Sequence, residues 1–176
     1  MSGISAPIKD LLSKLSTLQV TNSDGNTVNL YARIWNNQIK EEENGKLYDF
    51  PKPSAFLEII NEAKYDEIGC GFQSCDLGIR VHFVHEFYNA EGTFEQDLLI
   101  FDLRDSLVSL LSFYTPTGCG PMIRTGESQD YNHSNLYHYI IDFITNFTDS
   151  KGSAYDPATG KYIYSTPPTN LSITNL

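Results

Sequence analysis

The sequence predicts an α+β fold: a mostly antiparallel sheet packed by one long central helix and a short N-terminal helix, followed by an extended C-terminal arm. Three stretches carry that prediction. From Leu77 to Tyr88 the odd positions Ile79, Val81, Phe83, His85 and Phe87 are mostly apolar. The even positions Arg80, His82, Val84, Glu86 and Tyr88 are mixed, which is the period of a half-buried strand. From Phe94 to Phe113 the spacing is helical, and Leu98, Leu99, Ile100, Phe101, Leu103, Leu107, Val108, Leu110, Leu111 and Tyr114 cover well over half the circumference. From Leu136 to Phe147, Tyr137, Tyr139, Ile141, Phe143 and Phe147 alternate with His138, Asp142 and Asn146 as in a second strand.

The remaining elements follow in order. Ser5 to Leu18 reads as an amphipathic helix, with Ser5 as cap, Pro7 in the first turn, and Ile8, Leu11, Leu12, Leu15 and Leu18 on one side. Thr21 to Thr27 is a turn or loop. Val28 to Ile39 reads as one strand, with Val28, Leu30, Ala32 and Ile34 on one face and Tyr31, Arg33 and Trp35 on the other. The run Lys40-Glu-Glu-Glu-Asn-Gly-Lys46 is a charged, solvated loop. Ser54 to Glu62 follows Pro51 and Pro53 as a strand that should pair with the first, and Tyr65 to Asp76 reads as irregular. Asn89 to Gly92 makes a turn. Thr93 caps the central helix, with Glu95 and Asp97 at its positive end. Thr115 to Pro121 ends the helix, and Met122 to Asn132 forms a hairpin with Leu136 to Phe147 around Tyr131 to Asn135. Asp156 to Gly160 is a turn before a short strand at Lys161 to Tyr164, and Ser165 to Leu176 is an extended arm.

Length and composition bound the function. A chain of 176 residues holds one domain with a proper core, and 40% hydrophobic and 12% aromatic content is that of a globular chain. The formal charge of −10 argues against a surface that neutralises phosphates, in nucleic acid or in an anionic bilayer. The first residues contain no apolar segment of a signal peptide, and no apolar run reaches the roughly 18 residues of a membrane span. The odd count of three cysteines gives no disulfide framework, so a reduced compartment is expected.

No convergent catalytic set emerges. Cys70 and Cys75 precede His82 and His85, but a strand puts the two histidines on opposite faces, so no metal site is assigned to them. Cys119 lies between two glycines with His133 and His138 downstream. A cysteine nucleophile with one of those histidines stays open as a minor reading beside the plainer one, a helix-ending loop. Asp102 and Asp105, with Arg104 between them, read as a solvated helix face. No phosphate-binding loop and no His-Glu-x-x-His is present. These negatives move weight from enzyme to assembly protein, and the apolar excess of the central helix points to a second covering element or another subunit.

The order of elements carries a likeness. A helix, a strand, a charged loop, the Pro-led strand Pro53-Ser-Ala-Phe-Leu-Glu-Ile, the strand Arg80-Val-His-Phe-Val-His-Glu-Phe-Tyr, a long helix from Phe94 to Tyr114 and a hairpin from Met122 to Phe147 follow one another. Over about residues 4 to 148 this resembles the tail-terminator and tail-completion proteins of tailed bacteriophages, which also supply neck and connector rings. The resemblance implies a structural virion protein of the neck or tail, made in the host cytoplasm. It would form a ring, hexameric or dodecameric, through which DNA passes, with sheet laid against sheet between subunits. It implies neck, portal and tail proteins as partners, and no active site, metal, cofactor, sequence-specific nucleic-acid binding or membrane. The domain would span 1–148 and an interaction arm 149–176. Candidate subunit-interface residues are Leu99, Ile100, Leu103, Leu107, Leu110, Tyr114, Tyr137 and Tyr139; Glu41, Glu42 and Glu43 are candidates for a lumen or partner-contact loop. A non-catalytic adaptor module of a phage-derived injection machine is the alternative, and a small Cys119-dependent enzyme a more distant one.

Overall fold

A computed structural model of the chain describes residues 3–22, 24–39, 50–60, 64–69, 71–86, 94–133, 136–151, 155–156 and 159–162. In chain order its elements are α1 (Ser5–Leu15), β1 (Gln19–Thr21), β2 (Thr27–Asn29), β3 (Tyr31–Ile34), β4 (Ser54–Ile59), β5 (Asp66–Gly69), β6 (Phe72–Glu86), α2 (Phe94–Leu111), β7 (Ile123–Asp130), β8 (Leu136–Asp149), β9 (Tyr155–Asp156) and β10 (Lys161–Tyr162). The fold is α+β, with a mostly antiparallel sheet. Its strands lie in the order β3-β4-β6-β8-β7, and β5 also pairs with β6.

The local departures from expectation have local causes. Ile4, not Ser5, takes the N-cap position of α1 and makes no side-chain cap bond. The helix stops at Leu15 because the N–H groups of Thr17 and Leu18 turn to the carbonyls of Lys14 and Leu15. The expected strand from Val28 to Ile39 is two strands in two sheets. Leu30 donates its N–H to the Leu18 carbonyl, so Val28 pairs with Val20 in the β1–β2 hairpin while Tyr31 starts β3 in the main sheet. Val28 and Ile34 are exposed in consequence, whereas Leu30 and Ala32 are buried. β3 pairs with β4 as expected but runs parallel to it, an arrangement that needs a connection longer than a hairpin turn. The segment expected to be irregular before Asp76 is a hairpin of β5 with the start of β6. Gly69 at φ 108° and Gly71 at φ 76° supply the reversal.

The alternation of β6 sorts side chains onto two faces. Leu77, Ile79, Val81 and Phe83 meet Leu11 and Leu15 of α1 and Ile100, Leu103, Leu107 and Leu111 of α2 in the main core. Ala55 and Leu57 of β4 and Ile141, Phe143 and Phe147 of β8 complete it. On the other face a smaller cluster gathers Ile39, Phe50, Phe56, Val84 and Leu136 under Tyr31 and Trp35. Both faces of the middle strands are therefore covered.

α2 ends at Leu111, before Pro116. Phe113 takes a left-handed conformation (φ 62°) and donates its N–H to the Met122 carbonyl, outside the helix. The loop beyond it zips onto β8: Gly120 N–H reaches the Asn146 carbonyl at 2.7 Å, and Thr145 Oγ1 donates to the Gly120 carbonyl at 2.7 Å. β8 continues past residue 148, the expected domain boundary, and Lys151 lies against Gly3 at the start of α1. The short strand expected at Lys161 is β10, paired with β9. The turn at Asn89 to Gly92, the Thr93 cap, the side chains of Glu95 and Asp97, and Ser165 to Leu176 lie outside the described residues.

Asp10 ties α1 to this loop. Its carboxylate accepts from Tyr114 O–H at 2.8 Å, Thr117 N–H at 2.8 Å and Thr117 Oγ1 at 2.9 Å. The Tyr114 hydroxyl and then the Thr117 N–H hold the Asp10 carboxyl below its ordinary range. Asp10→Ala should cost about 1–2 kcal/mol in urea denaturation at neutral pH. Because the folded value is depressed, this contribution is fully present above about pH 4 and is lost as the pH falls through the folded value. The wild-type and variant stability curves should therefore converge in acid; curves that stay parallel down to pH 2 contradict the assignment.

Candidate functional site

The second face of the sheet carries a chain of polar groups, with His82 and His138 buried at its centre and the charged residues partly exposed. β4 supplies Glu58, β6 supplies Arg80 and His82, β8 supplies His138 and Asp142, and β7 ends at Asp130. Register brings them together: Glu58 stands opposite Arg80, Arg80 opposite Asp142, and Asp130 opposite His138. His82 stands opposite Ile140, so His138 is its diagonal neighbour, within reach of long side chains.

The contacts run in sequence. Arg80 grips Asp142 through Nε at 2.8 Å and Nη2 at 3.0 Å, a bidentate pair that holds the guanidinium charged. Glu58 Oε2 lies 2.9 Å from His82 Nε2, and His82 Nδ1 lies 2.9 Å from His138 Nε2. His138 Nδ1 then faces His133 Nε2 at 3.3 Å and Asp130 Oδ2 at 3.3 Å, while His133 Nε2 lies 3.2 Å from the same Asp130 oxygen. Trp35, the only tryptophan, stacks on His82 with centroids 4.0 Å apart and planes 7° apart. Its backbone N–H donates to the Leu57 carbonyl at 2.8 Å, which fixes the position from which the indole covers the network.

Burial sets the charge state. It pushes His82 below its ordinary value against the opposing pull of Glu58. Burial, then the neighbouring His82 and His133, push His138 down to about 4. Burial pushes Asp130 up, but the Asn132 N–H and the two histidines outweigh it, and the carboxyl stays ionised. The hydrogens follow from these states. A neutral His82 donates Nε2–H to the Glu58 carboxylate, so its Nδ1 is a lone pair that accepts His138 Nε2–H. His138 Nδ1 is then a lone pair too, aimed at Asp130 and His133.

The positions of the sequence candidates correct part of the earlier reading. Ile100, Leu103 and Leu107 are buried in the chain's own core, so they have no surface left for a neighbour. Leu99 and Leu110 are half-buried. Tyr114 is occupied with Asp10, and Tyr137 and Tyr139 pack against the main core, Tyr139 stacked on Phe83. Glu41, Glu42 and Glu43 lie outside the described residues, as does Cys70. Among the described side chains of α2, the large apolar ones turned outward are Leu98 and Phe101, 39% and 47% exposed. His82 and His85 do stand on opposite faces: His85 lines a cleft with Val20, Pro53, Leu99 and Leu103 on the helix side.

Cys119 is not brought to either histidine. It bridges to Phe147, nine positions along β8 from His138 or on the order of 30 Å. Burial pushes its thiol up to about 11, away from nucleophilic use. Asp102 and Asp105 are exposed as expected. Arg104 instead binds Asp105 at 2.6 Å and Glu127 of β7 at 2.6 Å, tying α2 to the sheet edge. Sequence reasoning missed the grouping of Asp130, His133 and His138, although the expected hairpin around Tyr131 to Asn135 holds the signal: a strand end, its turn and the next strand start must be neighbours.

The partner roles in the network can be separated by substitution. Glu58→Ala leaves the buried His82 N–H without its acceptor and should cost about 1–3 kcal/mol in urea denaturation, whereas Glu58→Gln keeps a carbonyl oxygen there and should cost much less. Equal losses in the two variants contradict the proton assignment. No protein-family model matches the chain, and no curated protein matches its sequence.

Proposed function

We propose that the chain is a non-catalytic structural subunit of a phage neck or tail ring, of the tail-terminator or tail-completion class. One observation carries the reading. After giving Ile100, Leu103, Leu107 and Leu111 to the core, α2 still turns Leu98 and Phe101 to solvent. One turn apart on a helix, they form a continuous apolar strip. Such a strip on an otherwise acidic chain with a formal charge of −10 is the kind of surface that a neighbouring subunit covers. The order of elements supports the same class. In this reading α2 is the central helix of a domain over 1–148, residues 149–176 are an arm reaching a neighbouring ring protein, Glu41, Glu42 and Glu43 belong to a lumen or partner-contact loop, and DNA passes through the ring without being held by charge. The alternative, an adaptor module of a phage-derived injection machine, shares the geometry and differs in its gene neighbours.

Light scattering on the purified chain, alone and mixed with portal and tail proteins, should give the mass of a closed ring of six or twelve copies. Leu98→Glu with Phe101→Glu should yield a folded monomer with unchanged circular dichroism, because neither side chain is part of the core. A wild-type chain that stays monomeric at every concentration and beside every neck and tail component overturns the reading.

A further inference from the structure

We propose that Asp130, His133 and His138 form a binding site for a divalent ion of the zinc type at the turn between β7 and β8, with His82 and Glu58 as the groups that orient His138.

Geometry carries the inference. Asp130 Oδ2, His133 Nε2 and His138 Nδ1 form a nearly equilateral triangle with sides of 3.2, 3.3 and 3.3 Å. An ion held tetrahedrally at about 2.0–2.1 Å from nitrogen and oxygen ligands needs them roughly 3.3–3.4 Å apart. Octahedral neighbours at the same bond length lie only about 2.9–3.0 Å apart, so the triangle fits the tetrahedral ion better. Placed over it, such an ion keeps one position for water, the donor count of two histidines and one carboxylate that open zinc sites use.

The contacts point the same way. His138 Nδ1 and His133 Nε2 both face Asp130 Oδ2, so three potential ligand atoms converge on one point. An ion satisfies all three donors at once. The side chains are 27%, 8% and 4% exposed for Asp130, His133 and His138, and Asn132 donates to Asp130 Oδ1, leaving Oδ2 to the triangle. The supporting shell is built as metal sites require: the ring nitrogen of His138 opposite the triangle donates to His82, which in turn donates to Glu58, fixing tautomer and ring plane. Trp35, stacked on His82 and 6.0 Å from the His138 centroid, keeps that shell dry. All three ligands come from one hairpin, so folding assembles them with little loop-closure cost. The site lies on the sheet face opposite α2, and it stands or falls independently of ring formation.

The test uses the full chain, stripped with a chelator and titrated with Zn²⁺ or Co²⁺ alone. One equivalent should bind, and Co²⁺ should give the intense visible bands of a tetrahedral ion. At hundredfold excess over Kd, Zn²⁺ should raise the melting temperature by roughly 5–10 °C. Asp130→Ala and His133→Ala should each abolish the cobalt bands. His82→Gln, which removes the partner of His138 Nε2 but none of the three ligand atoms, should weaken affinity roughly tenfold to a hundredfold while leaving the band shape. Should a variant fail to fold, histidine ring NMR on the wild type decides. One equivalent of Zn²⁺ should shift His133 and His138 and leave His85, on the other face, in place. Absence of stoichiometric binding, binding that survives both alanine variants, or shifts that spare His133 and His138 would each overturn the site.

Discussion

The register of β6 between β4 and β8 is the constraint on which the rest depends. Every residue from Ser54 to Ile59 pairs with β6 on one side, and β8 pairs with β6 along its length on the other. With both edges hydrogen-bonded, the alternation of side chains fixes two interiors at once. Ile79, Val81 and Phe83 go under the helices, each burial contributing about 1.5–3 kcal/mol. Arg80, His82 and Val84 go to the opposite face. A slip of one residue would put His82 into the helix core and Phe83 under Trp35. The apolar side opposes that slip strongly, and the polar side inherits its precision from it.

That inheritance explains how a buried polar chain is tolerated. Desolvating Glu58, His82, His138 and Asp130 is costly unless each group meets a partner. The strands deliver those partners with heavy-atom separations of 2.9 to 3.3 Å, and Trp35 closes the top. Arg80, gripped by Asp142 and near Glu58 at 4.0 Å, offsets the acid at one end. At the other end Asn132 donates to Asp130 Oδ1, while Oδ2 faces His133 and His138, which is the arrangement suited to a cation.

Periodicity made much of this visible in the sequence. β6, β8 and α2 each bury a face over many residues, so their repeat is written in Leu77 to Phe83, Tyr137 to Phe147 and Ile100 to Leu111. What was hidden depends on groups far along the chain. The break at Leu30 is set by the carbonyl of Leu18, and the β5–β6 reversal by Gly69 and Gly71, next to the polar pairs Asp66–Ser74 and Glu67–Gln73. The helical wheel of α2 counts its apolar residues but does not say which sector the sheet claims. It therefore offered Ile100, Leu103 and Leu107 as contact residues, when the sheet takes those and leaves Leu98 and Phe101. Likewise His133 and His138 stand out by type and pair on paper with Cys119, which lies in the loop before β7 and bridges to the far end of β8.

The two surfaces that matter are separated by the sheet itself. Leu98 and Phe101 project from α2, on the side of the main core; Asp130, His133 and His138 lie on the face that Trp35 covers. Between them runs β7, an edge strand of the sheet among the described residues. It resists indiscriminate strand addition because Arg124 and Glu127 sit along it and Arg104 reaches down to pair with Glu127. In the proposed assembly, a contact between subunits would have a charged edge that discourages open-ended pairing and an apolar strip that rewards one orientation, the combination that favours a closed assembly over a fibre. Anchoring the end of β7 through its turn would hold that edge in one shape, so an ion at Asp130 would act on assembly through the geometry of the edge and not through the apolar strip.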